Sequence, residues 1–150
     1  MDTVSCRVKG VYMAVGTIGA SPAVILTLKD DACLPIYIGL WEAMSIQSAL
    51  NNEIPPRPLT HDLFVDFLER FNIVLKALVI DSIDDGVYYA NMILEQNHHE
   101  LTMDCRPSDG IAIGIRCKAD ILVTDEVVRS SAIPADELPS LMDIGTYLAG

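Results

Sequence analysis

Two short runs concentrate the side chains that could do chemistry. One is Arg57-Pro58-Leu59-Thr60-His61-Asp62-Leu63 and the other is Asp104-Cys105-Arg106-Pro107-Ser108-Asp109. Each sets a proline turn just before a helix start and places ionisable groups at that start. With Glu42 they supply carboxylates, an imidazole and guanidinium groups. Phosphodiester hydrolysis uses those parts: carboxylates to hold Mg²⁺ or Mn²⁺, a base or water-orienting group, and a cation for the charge that develops on phosphoryl oxygens. On this reading Glu42, Asp62, Asp104 and Asp109 are the metal ligands. His61 is the base or water-orienter, within a catalytic group that also holds Asp62, Arg106 and Asp109. Arg57, Arg106 and Ser108 meet the substrate.

The same residues have structural readings. An acid in the first turn of a helix offsets the macrodipole by about 0.3–1 kcal/mol, which accounts for Glu42, Asp62 or Asp109 taken singly. His61 could instead bond a backbone carbonyl. An arginine before a proline is held extended. Its guanidinium then points either to an internal carboxylate, for example Arg106 to Asp62, or to an anionic ligand. Adjacent helix residues project about 100° apart, so His61 and Asp62 are expected to share a cleft edge rather than pair. His98 and His99 would face opposite sides of a strand and are read as a hairpin end. There is no GxxxxGK[ST], GxGxxG or GxSxG run. No nucleotide cofactor is therefore expected, and a serine-hydrolase elbow is absent.

The elements that must position these residues read as follows. Alternation over residues 4–15 predicts a half-buried strand, with a phase shift at Gly10 that suits a bulge. Residues 16–22 read as a loop, and Ala23–Leu28 and Leu34–Ile38 as strands. A helix is expected from Trp41 to Asn51, then a stiff connector through Pro55, Pro56 and Pro58. The next helix, His61 to Asn72, is expected to be capped by Thr60 and to bury Leu63, Phe64, Phe67, Leu68 and Phe71. Strands 73–83, 87–95 and 98–105 form an antiparallel meander, with Asp84-Asp85-Gly86 as a hairpin turn. Ser108 is expected to cap a buried helix from Asp109 to Arg116. A strand at 121–123, a short helix at 125–130 and an amphipathic helix over 138–148 complete the chain. Leu34–Ala49 and Leu101–Arg116 echo one another as strand, link, first-turn acid and helix, which would place Glu42 and Asp109 alike.

These elements give an α+β fold: a mixed, largely antiparallel sheet core with about three to four short helices. The 150 residues suit one domain with a real core. Residues 1–135 form the domain, and 136–150 read as a short acidic tail. No run approaches the roughly 18 apolar residues of a membrane span. The first residues lack a basic and apolar leader, so the cytoplasm is the expected location and no membrane partner is expected. Cys6, Cys33, Cys105 and Cys117 are scattered without a CxxC pair, which argues against structural zinc and for reduced, buried thiols. The net charge is −11 and the ten Lys and Arg are dispersed. Nucleic acid is possible as a partner but disfavoured, because a binder of duplex backbone needs a basic patch.

The blocks Leu34-Pro35-Ile36-Tyr37-Ile38-Gly39, Glu42-Ala43, Arg57 to Leu63, Asp104 to Asp109 and Ile111-Ala112 together resemble the bifunctional nuclease family. The resemblance implies a compact α+β domain, a homo-oligomer, and the DNase and RNase activity described for plant members. Its motif residues fall on Glu42, Arg57, His61, Asp62, Asp104, Arg106, Ser108 and Asp109. Gly110 stands where the family usually has alanine, and Leu40-Trp41 where it usually has proline and an aromatic residue. A second expectation stays open beside it, a non-catalytic oligomeric binding or scaffold domain whose Arg-Pro and Ser-Asp motifs are structural. A third, weaker one is a sensor that takes a small anion on its helix N-termini.

Overall fold

Alternating apolar and polar residues draw the first segment into a long strand, β1 (Thr3–Gly16), whose register shifts between Val8 and Gly10 as the sequence suggests. The computed structural model describes residues 2–150. Thr17 and Ile18 make a tight turn, and β2 (Gly19–Thr27) starts at once. The loop expected over residues 16–22 is thus mostly strand, because Gly19 to Pro22 complete the ladder with β1. β3 (Ala32–Tyr37) follows, then α1 (Leu40–Leu50) and α2 (Thr60–Arg70). The meander is β4 (Val74–Asp84), β5 (Val87–Gln96) and β6 (His99–Cys105). Asp85 and Gly86 take φ of 51° and 78° between β4 and β5, the left-handed pair that a two-residue hairpin needs. His98 sits in the turn before β6 with φ of 66°.

The remaining elements are α3 (Pro107–Cys117), β7 (Asp120–Thr124), α4 (Asp125–Ser131), β8 (Ile133–Pro134), β9 (Ser140–Asp143) and α5 (Ile144–Ala149). The strands join in the order β6-β5-β4-β7-β1-β2-β3-β8, and β9 pairs with β1. Only β4 and β7 run parallel. The class is α+β with a largely antiparallel sheet, as expected, and with five helices where three to four were anticipated. β1 is shared along its length. Thr3–Cys6 pair with β7, Arg7–Gly16 with β2, and Tyr12–Val15 also with β9.

α3 lies against β4 and β5, with α1 and α2 beside it. Ile111, Ala112 and Ile113 are buried there with Leu78, Ile80 and Met92. Gly110 permits this approach, since a Cβ would collide with Leu78 and come within 3.1 Å of the Cys105 sulfur. α2 packs less fully than its sequence suggests. Leu68 is buried, but Leu63, Phe67 and Phe71 are all more than half exposed. They form an open i, i+4, i+8 stripe in which the Phe67 and Phe71 rings lie 4.6 Å apart.

The helix expected over 138–148 is instead a short strand followed by a short helix. Residues 140–143 return to the sheet as β9, and Ile144 enters the core at 1% exposure. No helix among the described residues is long and apolar enough to cross a membrane. If residues 140–149 stabilise the core, Ile144→Ala will cost about 2–5 kcal/mol in chemical denaturation. Leu148→Ala, at a half-exposed site, will stay within about 0.5 kcal/mol.

Candidate functional site

Helix starts gather the polar residues. Pro107 occupies the first turn of α3, so Arg106 is its N-cap and Ser108 falls inside it. Proline suits that first position, where its missing N–H has no partner to lose. Thr60 likewise lies inside α2, and the N-cap is Leu59. The expected caps at Thr60 and Ser108 are therefore each displaced by one or two residues. At α2 the Asp62 carboxylate accepts the Leu59 N–H at 3.1 Å and takes over the capping role.

From these starts a connected line of contacts runs across α1, α2 and α3. Glu42 Oε1 lies 3.3 Å from an Arg106 nitrogen. Arg106 donates through Nε to Asp109 Oδ2 at 2.7 Å and through its second nitrogen to Oδ1 at 3.2 Å. His61 Nε2 stands 2.8 Å from Asp109 Oδ1, and His61 Nδ1 stands 2.6 Å from the Ser45 hydroxyl. Below them Arg116 donates to Asp62 Oδ1 at 2.9 Å, to the Ala112 carbonyl at 2.8 Å and to the Ser45 carbonyl at 3.2 Å.

The protonation states follow from the partners. Burial opposes ionisation of Asp109, but hydrogen bonds from Arg106 and His61 outweigh it and hold the carboxyl below its usual range. An ionised carboxylate can only accept, so His61 carries its proton on Nε2. In the neutral imidazole Nδ1 then holds the lone pair and accepts the Ser45 O–H. Asp62 is treated alike. Burial works against its charge, and Arg116 with the Leu59 N–H lowers its pKa regardless. Asp109 in turn raises the pKa of Arg106.

His61, Asp109, Arg106, Glu42 and Ser45 line a groove of about 900 Å³ whose remaining lining is mainly apolar, Trp41, Met44, Ile54, Pro55, Pro58 and Leu59, with Ser48, Glu53 and Thr60 among them. Of the expected site residues, Glu42, His61, Arg106 and Asp109 converge here. Asp62 lies beneath them, tied to Arg116 and not to Arg106. Asp104 stands elsewhere. Its neighbour Cys105 pairs with buried Ala90, while Asp104 pairs with Asn91 on the opposite sheet face, where Asn91 donates to Asp81. Arg57 is exposed on the connector and outside the groove lining. Ser108, 6% exposed, lines a second cleft with Tyr37 and Tyr88, which Arg106 borders as well. Among the described residues no three His, Cys, Asp or Glu side chains are grouped to hold a metal ion. The four cysteines are free, and burial pushes the Cys6 thiol up to about 12 and Cys105 to about 11, which suppresses thiolate chemistry.

Ser45 and Arg116 are the participants that the motifs do not show. A spacing signal exists for both. Ser45 lies one turn after Glu42 and Arg116 two turns after Asp109, so each shares a helical face with a motif acid.

Comparison with known proteins bears on the whole constellation. The family model described as "Bifunctional nuclease domain" matches residues 24–136. An uncharacterized protein of Mycobacterium tuberculosis is 36% identical over 112 residues, covering 73% of this chain and 66% of that protein. Bifunctional nuclease 2 of Oryza sativa subsp. japonica is 29% identical over 133 residues, 85% of this chain and 41% of the rice protein. Bifunctional nuclease 1 of the same rice is 27% identical over 116 residues, 74% of this chain and 35% of its own length. The chain thus spans less than two thirds of each of these relatives.

The Arg116–Asp62 bond sets a stability test. Its side chains are only 10% and 25% exposed, so Asp62→Asn should cost about 1.5–3 kcal/mol at neutral pH. A carboxyl with a depressed folded pKa stabilises above its unfolded value, about 3.9, and that stability is lost as pH falls through the folded value. The difference in unfolding free energy between wild type and Asp62→Asn should therefore be full at pH 6. It should vanish as the pH falls below about 4 and past the folded pKa.

Proposed function

The chain belongs to the bifunctional nuclease domain family, and from that premise we propose that it hydrolyses DNA or RNA phosphodiesters with its own side chains as the catalytic groups. The observation that carries this reading is the line Asp109–His61–Ser45 beside Arg106 in one groove. Arg106, with its side chain 65% exposed, meets the non-bridging oxygens of a phosphodiester and offsets the charge that builds on them. His61 takes the proton of the attacking water. Nδ1 is its basic nitrogen, and the Ser45 hydroxyl passes the proton along by donating its own to Nδ1 as it accepts one from water. As the water oxygen bonds to phosphorus, the P–O bond to the departing sugar oxygen breaks. That oxygen takes a proton from solvent, and the imidazolium releases its own to solvent. Asp109 fixes the tautomer and steadies the imidazolium that forms.

A divalent ion on Glu42, Asp62, Asp104 and Asp109 does not fit this donor set. Both oxygens of Asp62 and both of Asp109 already accept from cations, the imidazole or a backbone N–H. Asp104 is on the far side of the sheet.

One observation favours the alternative, a scaffold without catalysis: Glu42 and Asp109, the carboxylates beside His61 and Arg106, both have internal partners. The exposed stripe Leu63, Phe67 and Phe71 supports self-association, since apolar stripes of this kind mark protein contacts. The four unbridged cysteines suit the reducing cytoplasm.

Turnover of RNA and of DNA by the purified protein tests the assignment. His61→Ala and Asp109→Asn should each lower kcat/KM by about 10²–10⁴-fold, and Arg106→Ala by about 10²–10³-fold. Chelation with EDTA should leave turnover unchanged. Activity that EDTA abolishes and Mn²⁺ restores would return an ion to the site. Variants that only lower the melting temperature, with no turnover to lose, would favour the scaffold.

A further inference from the structure

The polar half of the groove accounts for phosphate chemistry, but its apolar half has no role in that chemistry. Trp41 dominates it. The indole is 77% exposed on the first turn of α1, next to Glu42, the residue that contacts Arg106. A tryptophan held open to water in the groove that Arg106 also lines needs a reason, because the core has no use for it there. Ile54 at 93% exposure, Leu59 and Met44 extend the same wall.

We infer that Trp41 is a stacking platform that makes the groove selective for unpaired nucleotides, with a base on the indole and an adjoining phosphate on Arg106. This rests on the phosphodiester reading above and names its substrate as single-stranded. Three observations lead to it. The groove offers together an aromatic plane and a guanidinium that is paired with Glu42 and Asp109 yet 65% exposed, which matches the two chemical halves of a nucleotide. The chain carries a net charge of −11, so it cannot gain affinity by laying a long charged backbone along its surface. Stacking must then supply what phosphate neutralisation does not, and every base has a face that stacks. Bases inside a duplex have both faces covered, and a duplex would present mainly phosphate to an acidic protein. The groove volume of about 900 Å³ is also larger than one phosphate needs and lies in the range of small-ligand clefts.

Trp41 is the only tryptophan in the sequence, so its emission reports directly on this contact. The experiment titrates the full chain with a single-stranded deoxydodecamer, and separately with the same dodecamer annealed to its complement. The single strand should quench the emission saturably and the duplex should not. The slope of log Kd against log salt should stay shallow, at one or two phosphates with about 0.7 each. By anisotropy of a labelled dodecamer, Trp41→Ala should weaken binding about 5- to 150-fold and Trp41→Phe only a few-fold. In turnover, Trp41→Ala should raise KM and leave kcat within about twofold, because the loss is in uniform binding. An unchanged Kd in Trp41→Ala, or equal quenching by duplex, overturns the platform. Cleavage of single strands without quenching overturns it too, while leaving the phosphodiester reading standing. Quenching without cleavage does the reverse. Emission that responds to protein concentration and not to oligonucleotide would show a second copy of the chain on this wall, and the platform would fall.

Discussion

The Asp109 carboxylate has two oxygens and three donated hydrogen bonds to accept. Two come from the fork of Arg106, three residues earlier on the same chain turn, and one comes from His61 on another helix. That arrangement fixes more than a charge. It sets the ring of His61, hence which nitrogen is basic, and so the position of Ser45 on α1. It also holds Arg106 where Glu42 can reach it. Three helices that share no covalent proximity are thereby given one register. The charge itself is tolerable because the burial is partial and each acceptor site faces a donor.

Behind this contact stands the buried helix α3. Its apolar residues fill the space over β4 and β5, and Gly110 lets it sit close. Asp109 and Arg116 leave it near its two ends on one face, two turns apart. The upper residue serves the groove and the lower one ties α2 and α1 through Asp62 and the Ser45 carbonyl. A rigid apolar rod thus sets the spacing of two polar layers. Hydrophobic packing supplies the precision, and the ionic contacts use it.

Much of this was legible in the chain. The strand–link–helix echo placed Glu42 and Asp109 alike, and the structure sets both against Arg106. The meander, the Gly10 shift and the Asp84-Asp85-Gly86 turn follow from alternation and backbone preference, which act locally. The helix caps were displaced because Pro107 at the first helical position moves the start of α3 back, a rule that the sequence already carried. The side of Asp104 was also readable: it alternates with Cys105, and only one of the two can face the core. What local rules could not give was partner choice. Arg106 taking Glu42 instead of Asp62, and Arg116 taking Asp62, depend on how α1 and α2 flank α3. The stripe of α2 shows the same limit. Its period announces an apolar face, but nothing local says that the core buries Leu68, covers Phe64 in part and leaves Leu63, Phe67 and Phe71 outside.

The shared strand β1 has a consequence for how the molecule comes to be. Its partners are β2, directly after it, and β7 and β9, which lie more than a hundred residues later. During synthesis the β1–β2–β3 hairpins and the β4–β5–β6 meander can each form as they leave the ribosome. The two blocks are joined only when residues 120–124 slot between β1 and β4. Such distant pairings slow folding, since loop closure must precede any reward. Until then the facing edges of β1 and β4 remain unpaired, and an unpaired edge is a template for another chain. The interval before β7 emerges is therefore when this chain is most exposed to edge-to-edge pairing with another chain.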